Sequence, residues 1–201
     1  MDELERNQRH KERMQRKKAA IDASIAQANQ DQGVFVLLTG NGKGKSSSAF
    51  GMVARALGHG MKVGVAQFIK SRTDTGEEAF FSQQANVDWH VLGDGFTWDT
   101  QDRAQDIATS ERGWLIAEQM LTDPSYDLVV LDELTYLINY KYLEAERVYD
   151  ALVNRPPMQH LVVTGRAATS ELRSLADTVS DISDEKHAYR AGVQAQKGVD
   201  L

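Results

Sequence analysis

Residues 39–47 carry the densest chemistry in this chain: Thr39, Gly40, Asn41, Gly42, Lys43, Gly44, Lys45, Ser46 and Ser47. Glycines let a backbone curl until successive N–H groups point at one centre, and such a ring of donors suits phosphate oxygens. Lys45 adds a compact positive charge, and the Ser46 hydroxyl suits Mg²⁺. The apolar run at 34–38 reads as a buried parallel strand, and a helix from Lys45 to about Leu57 would aim its positive end at the same loop. Strand, glycine-rich loop and helix together are the context of a P-loop. The standard spacing has glycine where Thr39 stands, so the first glycine, Gly40, comes one residue late.

A second acidic element accompanies the loop. Residues 128–131 are apolar and run into Asp132 and Glu133. An acid at such a strand end can hold Mg²⁺ directly or through water beside the P-loop hydroxyl, as a Walker B carboxylate does. Spacing alone leaves open which of the two meets the metal. Arg55, on the P-loop helix, and Arg166, after the strand end at Thr164-Gly165, are candidates for phosphate contact or simple surface charges. Phe96 and Trp98 sit in a loop at 95–99. They are either buried anchors or a mobile cover over a large flat ligand. The five histidines are scattered, no Ser-His-Asp arrangement presents itself, and the chain has no cysteine. Thiolate metal sites and cysteine nucleophiles are thereby excluded.

These groups need a frame. Strands are expected at 34–38, 62–69, 87–92, 127–131, 160–164 and 178–182. Helices are expected at 45–57, 77–84, 101–122, 133–139, 144–153 and 169–175, and the final stretch from 186 reads as irregular. Alternating strands and helices imply an α/β domain with a mostly parallel sheet and helices on both faces, and ligands bind beyond the carboxyl ends of such strands. Residues 1–30 differ in texture and form a helical arm ahead of the domain at 31–201. Met14, Ile21, Ile25 and Ala28 make one narrow apolar stripe. The arm is either a solvated helix or one that docks its stripe on this or another subunit.

The chain has 201 residues and a net charge of −6, which argues against a general nucleic-acid binder. The charged N-terminus shows no secretory pattern, and no apolar run reaches the length that spans a bilayer. The expectation is a cytoplasmic protein that binds neither nucleic acid nor membrane.

Several strings together resemble one family, the BtuR/CobO-type corrinoid adenosyltransferases. They are residues 39–47, Gly64-Val65-Ala66-Gln67-Phe68-Ile69-Lys70, Gly95-Phe96-Thr97-Trp98-Asp99-Thr100-Gln101, Val130-Leu131-Asp132-Glu133-Leu134-Thr135-Tyr136, Thr164-Gly165-Arg166 and the ending at 186–198. That family shares the late first glycine. It commonly has two threonines where Ser46 and Ser47 stand, a change that keeps both hydroxyls. The resemblance implies a P-loop NTPase (RecA-like) fold and a homodimer. It implies that ATP binds with Mg²⁺ (or Mn²⁺), its γ-phosphate lying where the loop usually holds β. A reduced cob(I) corrinoid would then attack the ribose C5′ and release triphosphate, in adenosylcobalamin biosynthesis or salvage. By the same resemblance, Gly40, Asn41, Gly42, Lys43, Gly44, Lys45, Ser46 and Ser47 hold the triphosphate, with Arg55 and Arg166 supporting it. Ser46 and Glu133, beside Asp132, serve the metal. Phe96 and Trp98 line the lower face of the corrin, the arm helps cover an active site, and a flavoprotein is a possible reductant. The alternatives are a conventional P-loop ATPase or kinase, which would release ADP, and a non-enzymatic ATP-binding regulator.

Overall fold

The computed structural model describes residues 3–69, 75–93 and 102–200. Phe96 and Trp98 lie outside the described residues. The chain divides into two compact units, residues 1–32 and 33–201. The first is a single helix, α1 (Glu3–Gln27), which buries none of its residues. Lys18 and Asp22 pair one turn apart on it at 2.6 Å. Leu4, Met14, Ile21 and Ile25 are all exposed.

The second unit holds β1 (Phe35–Thr39), α2 (Lys45–Gly58), β2 (Val63–Gln67), α3 (Gly76–Phe81), β3 (Val87–Val91) and α4 (Arg103–Thr122). There follow β4 (Leu128–Asp132), α5 (Leu134–Asn139), α6 (Ala145–Val153), β5 (His160–Thr164), α7 (Ser170–Leu175) and β6 (Thr178–Asp181). The strands form one sheet in the order β3-β2-β4-β5-β1-β6. Every pairing between them is parallel, so the sheet is wholly rather than mostly parallel among the described residues.

Each central strand feeds two cores, because neighbouring side chains point to opposite faces. Val129 and Leu131 of β4 join Phe35, Trp114, Leu121, Leu137 and Leu152 on one face. Leu128 and Val130 join Ala49, Phe50, Val53 and Phe81 on the other. This is why the strands read as unbroken apolar runs rather than alternating ones. Helices therefore cover both faces, with α2 and α3 on one and α4 to α7 on the other.

Two segments differ from the sequence expectation. Helix α3 stops at Phe81 rather than running to 84. The reason is local: Ser82 Oγ, Gln83 Nε2 and Gln84 Nε2 each donate to a carbonyl one turn back, at Glu78, Ala79 and Phe80. The Glu78 carbonyl also takes the last helical N–H, from Ser82, while side chains serve the Ala79 and Phe80 carbonyls where further helix would have done so. The ending is not wholly irregular either. A 3-10 turn spans Ala188–Ala191, with the His187 ring nitrogen accepting from Tyr189 N–H at its start and Gly192 at φ 79° closing it.

Trp114 is fully buried, its ring 6.5 Å from that of Phe68. Trp114→Ala should cost roughly 3–5 kcal/mol, read as a lower urea midpoint with the unfolding slope unchanged.

Candidate active site

Polar residues end the central strands. Thr39 of β1, Gln67 of β2, Asp132 of β4 and Thr164 of β5 are each the last residue of their strand, and all are buried. Parallel strands place these ends side by side, at the edge where the sheet meets the loops. The Thr164 hydroxyl donates to Asp132 Oδ1 at 2.7 Å and accepts the Glu133 N–H at 2.9 Å. Gln67 Nε2 donates to Asp132 Oδ2 at 3.0 Å. Both oxygens of the buried carboxylate are thus held by neighbouring strands, which is how a buried charge is tolerated.

Glu133 follows in a left-handed conformation, φ 64°. Only a minority of non-glycine residues adopt it, and it costs of order 1–3 kcal/mol. The turn throws the Glu133 side chain into a cavity, whereas Asp132 stays beneath. On the neighbouring strand, Gly165 has φ 149° and Ala167 φ 49°, so Arg166 is carried between two unusual backbone positions. A Cβ on Gly165 would lie 2.0 Å from Thr135 Oγ1. That hydroxyl donates to the Arg166 carbonyl at 2.8 Å, tying the two sides together.

The glycine-rich loop closes the cavity from β1. Gly40 and Gly44 have φ 97° and 118°. Gly42 passes so close to the segment after β6 that a Cβ would meet Ser183 O at 2.3 Å, and its N–H donates to Ile182 O at 2.7 Å. Lys45 Nζ donates to Gly42 O at 2.7 Å. The Lys45 pKa is lowered, first by burial and then by the Arg166 charge, with Glu133, Asp132 and Asp181 opposing. Burial also raises the Tyr136 phenol, against the pull of Arg166.

The resulting cavity has a volume of about 360 Å³. Of the residues singled out from sequence, Asn41, Gly42, Lys43, Gly44, Lys45, Ser46, Ser47, Glu133 and Arg166 all line it. Gly40 lies in the loop just before, and Asp132 supports from below. Arg55 does not come to this place. It stands further along α2, at the mouth of a separate apolar cavity with Val34, His59 and His160, toward the amino ends of the strands. A strand-to-helix loop binds at the helix start, and Arg55 is nearly three turns away from it on the helix. Arg55 is thus a sequence candidate that the fold does not bring to the cavity with the phosphate loop.

Sequence reasoning missed Glu77, Tyr136, Thr164, His187, Val199 and Asp200, which also line the cavity. Tyr136 and Thr164 lay inside motif strings without being given a role. His187 lay inside the ending string at 186–198, likewise without a role. Asp200 reaches Lys43 at 2.6 Å from the far end of the chain, and that contact first of all lowers its pKa. No local pattern signals such a long-range pair.

The fold and site define a P-loop nucleotide-binding α/β protein, with a polar cavity at the carboxyl end of a parallel sheet. Residues 31–201 match the family model for the ATP:corrinoid adenosyltransferases BtuR/CobO/CobP, and residues 1–25 match that for the cob(I)alamin adenosyltransferase N-terminal segment. The chain belongs to this family of corrinoid adenosyltransferases. It is 58% identical to the corrinoid adenosyltransferase of Pseudomonas aeruginosa over 198 residues, 98% of each chain. Identity to that of Escherichia coli K12 is 47% over 194 residues, 96% of this chain and 98% of the relative. The corrinoid adenosyltransferase CobA of Salmonella typhimurium is 46% identical over the same length, 96% of this chain and 98% of the relative. Among the described residues, no helix is long and apolar enough to cross a membrane.

Two substitutions probe the site. Lowering a lysine pKa in the folded state means that the unfolded chain holds the proton more tightly. The charge is then a cost to folding at neutral pH, and the cost fades as pH rises through the folded pKa. Lys45→Met should therefore melt at or above the Tm of the unsubstituted protein without nucleotide at pH 7, while calorimetric ATP binding is lost. Thr164→Val removes the hydroxyl that serves both Asp132 and the Glu133 N–H. It should cost about 1–3 kcal/mol in urea unfolding and weaken ATP binding as well.

Proposed function

We propose that this chain transfers the 5′-deoxyadenosyl group of ATP to the cobalt of a cob(I) corrinoid, cobalamin or cobyrinic acid a,c-diamide, in adenosylcobalamin biosynthesis or salvage. The observation that carries the reading is the convergence of the whole phosphate loop, Glu133 and Arg166 on one cavity, in a chain of this family. The cobalt electron pair forms the Co–C5′ bond, the C5′–O bond breaks, and the departing triphosphate takes its electrons. Cob(I) is itself the nucleophile, so the protein's work is to fix C5′ and to stabilise charge on the leaving group. Those are orientation and electrostatic tasks.

The roles divide by position. Main-chain N–H groups of the loop and of the first turn of α2, apart from that of Gly42, which Ile182 O engages, would hold the triphosphate with the Lys45 ammonium and the positive end of α2. Lys43 and Arg166 flank it from opposite walls. The Ser46 hydroxyl and the Glu133 carboxylate, which both line the cavity, would hold Mg²⁺ (or Mn²⁺). Mg²⁺ commonly takes one or two protein groups and completes its shell with water and phosphate oxygens. There it would neutralise charge on the leaving triphosphate. Asp132, engaged by Thr164 and Gln67, is the positioning acid beneath rather than the ligand.

Phe96 and Trp98 would line the lower face of the corrin, supported by the family's Phe-Thr-Trp-Asp string. The helical arm at 1–30, its apolar stripe exposed, would cover an active site within a homodimer. A flavoprotein would supply the electron that makes cob(I). The cytoplasm, where ATP and such a reductant meet, is the working compartment.

The test is anaerobic incubation with chemically reduced cobalamin and Mg-ATP. A light-sensitive Co–C product with one inorganic triphosphate per turnover is expected. Release of ADP and phosphate with no organometallic product would overturn the reading. Under the same conditions Trp98→Ala should slow reaction with cobalamin and leave ATP binding intact, measured by single-turnover absorbance and calorimetry.

A further inference from the structure

At the amino ends of the strands, opposite the phosphate cavity, lies a separate hollow of about 240 Å³ that shares no lining residue with it. Val36, Leu128 and Val162 form its floor, on the face of the sheet that α2 covers. Met52, Arg55, Ala56 and His59 form its roof. They recur as i, i+3, i+4 and i+7, one stripe of a helix. Ala56 is buried and Met52 half-buried, whereas Arg55 and His59 stand exposed at the rim. His160, the first residue of β5, closes the rim from the sheet side. Its Nδ1 accepts the Val34 N–H at 3.0 Å. In the neutral ring Nε2 then carries the hydrogen, and no acceptor meets it among the described residues. The Arg55 and His59 side chains likewise have no partner among the described residues. No described acid lines the hollow. Asp127 and Asp177 stand at the same edge of the sheet, but they accept the N–H groups of Lys62 and Phe35.

We propose that this hollow binds an amphipathic monocarboxylate, with its alkyl chain on the valine floor and its carboxylate between Arg55 and His160 Nε2. A water takes up roughly 30 Å³ in the liquid, so the hollow admits about eight atoms of that size. That suits a medium-length alkyl chain and is too small for a nucleotide. The two parts of the site select different things. Floor and roof offer apolar area, which favours any greasy solute. The rim selects charge. A guanidinium fork matches the two oxygens of a planar carboxylate, and the Nε2–H adds a donor from the opposite wall. The Arg55 stem can lie along the apolar roof while its head stays at the mouth, where it would close over a bound carboxylate. A small inorganic anion would gain the rim alone, and an alcohol the floor alone. An apolar pocket with a few placed polar groups is the usual form of a small-molecule site.

The experiment is calorimetry on the full chain with butanoate, hexanoate, octanoate and dodecanoate, and with octanol and inorganic phosphate as controls. Affinity should rise about fourfold per methylene up to octanoate, the factor for burying one CH₂, and no further at dodecanoate. Octanol and phosphate each lack one half of the ligand and should bind about tenfold or more weakly than octanoate. Arg55→Met keeps an apolar stem and removes the charge. It should weaken octanoate about tenfold and leave octanol unchanged. Ala56→Met fills the hollow and should abolish octanoate binding with an unchanged circular dichroism spectrum. Saturating Mg-ATP should leave octanoate binding as it was, because the two sites share no residue. Equal affinity for octanol and octanoate, no dependence on chain length, displacement by Mg-ATP, or undiminished binding in the Ala56→Met protein would each overturn the site. Absence of octanoate binding would overturn it outright. Should Val34→Glu then also halve the sedimenting mass, a second copy of the chain covers the hollow instead.

Discussion

One hydroxyl ties the ends of two neighbouring strands together. Thr164, at the end of β5, donates to the buried Asp132 carboxylate and accepts the N–H of Glu133. The first bond keeps a fully buried charge in place, and the second fixes the turn that carries the next carboxylate into the cavity. A hydrogen bond to an ionised group in a water-poor setting is worth more than a neutral one. Gln67 completes the arrangement from β2, its Cα paired in register with that of Asp132. The phosphate loop leaves β1 on the other side of β5. Position and charge in the cavity thus depend on how strand ends are aligned, and the alignment depends on two apolar cores packed on opposite faces of the sheet.

Two of the three positive-φ non-glycine residues among those described lie where this network meets solvent, the third being Lys141 after α5. Glu133 and Ala167 have positive φ without being glycine, and both flank the cavity walls. The anchoring groups differ. Glu133 is held through its own N–H, while Arg166 is held through its carbonyl by Thr135 and Asn139. These bonds come from buried or helix-borne side chains, so the acidic and basic walls are set before any ligand arrives. Preorganisation of this kind lowers the reorganisation needed when charge moves during reaction.

Much of this was legible in the sequence because the signals were local. Continuous apolar runs announced buried parallel strands, and each fell within a residue or two of its place. Residues 39–47 announced the loop because glycine spacing and a following helix are adjacent in sequence. What was not legible depended on distance. Asp200 and Lys43 meet across most of the chain, and Glu77 reaches the cavity from a short helix whose neighbours are packed rather than patterned. Arg55 shows the opposite case. It is close to the loop in sequence, but a helix rises along its axis and carries it away. Sequence proximity stands for spatial proximity only within about one turn of a helix.

The order of strands has a consequence for how the molecule comes into being. β1, which bears the loop, is flanked by β5 and β6, whose residues are made last. During synthesis the early strand therefore waits without neighbours until the late part of the domain has emerged. Contacts between such distant segments are slow to form, since long stretches of chain must first be closed. The glycines at 40 and 42, pressed against the backbone at 182 and 183, are shaped by the same late arrival. A nascent chain would thus acquire its grip on nucleotide as one of the closing events of folding.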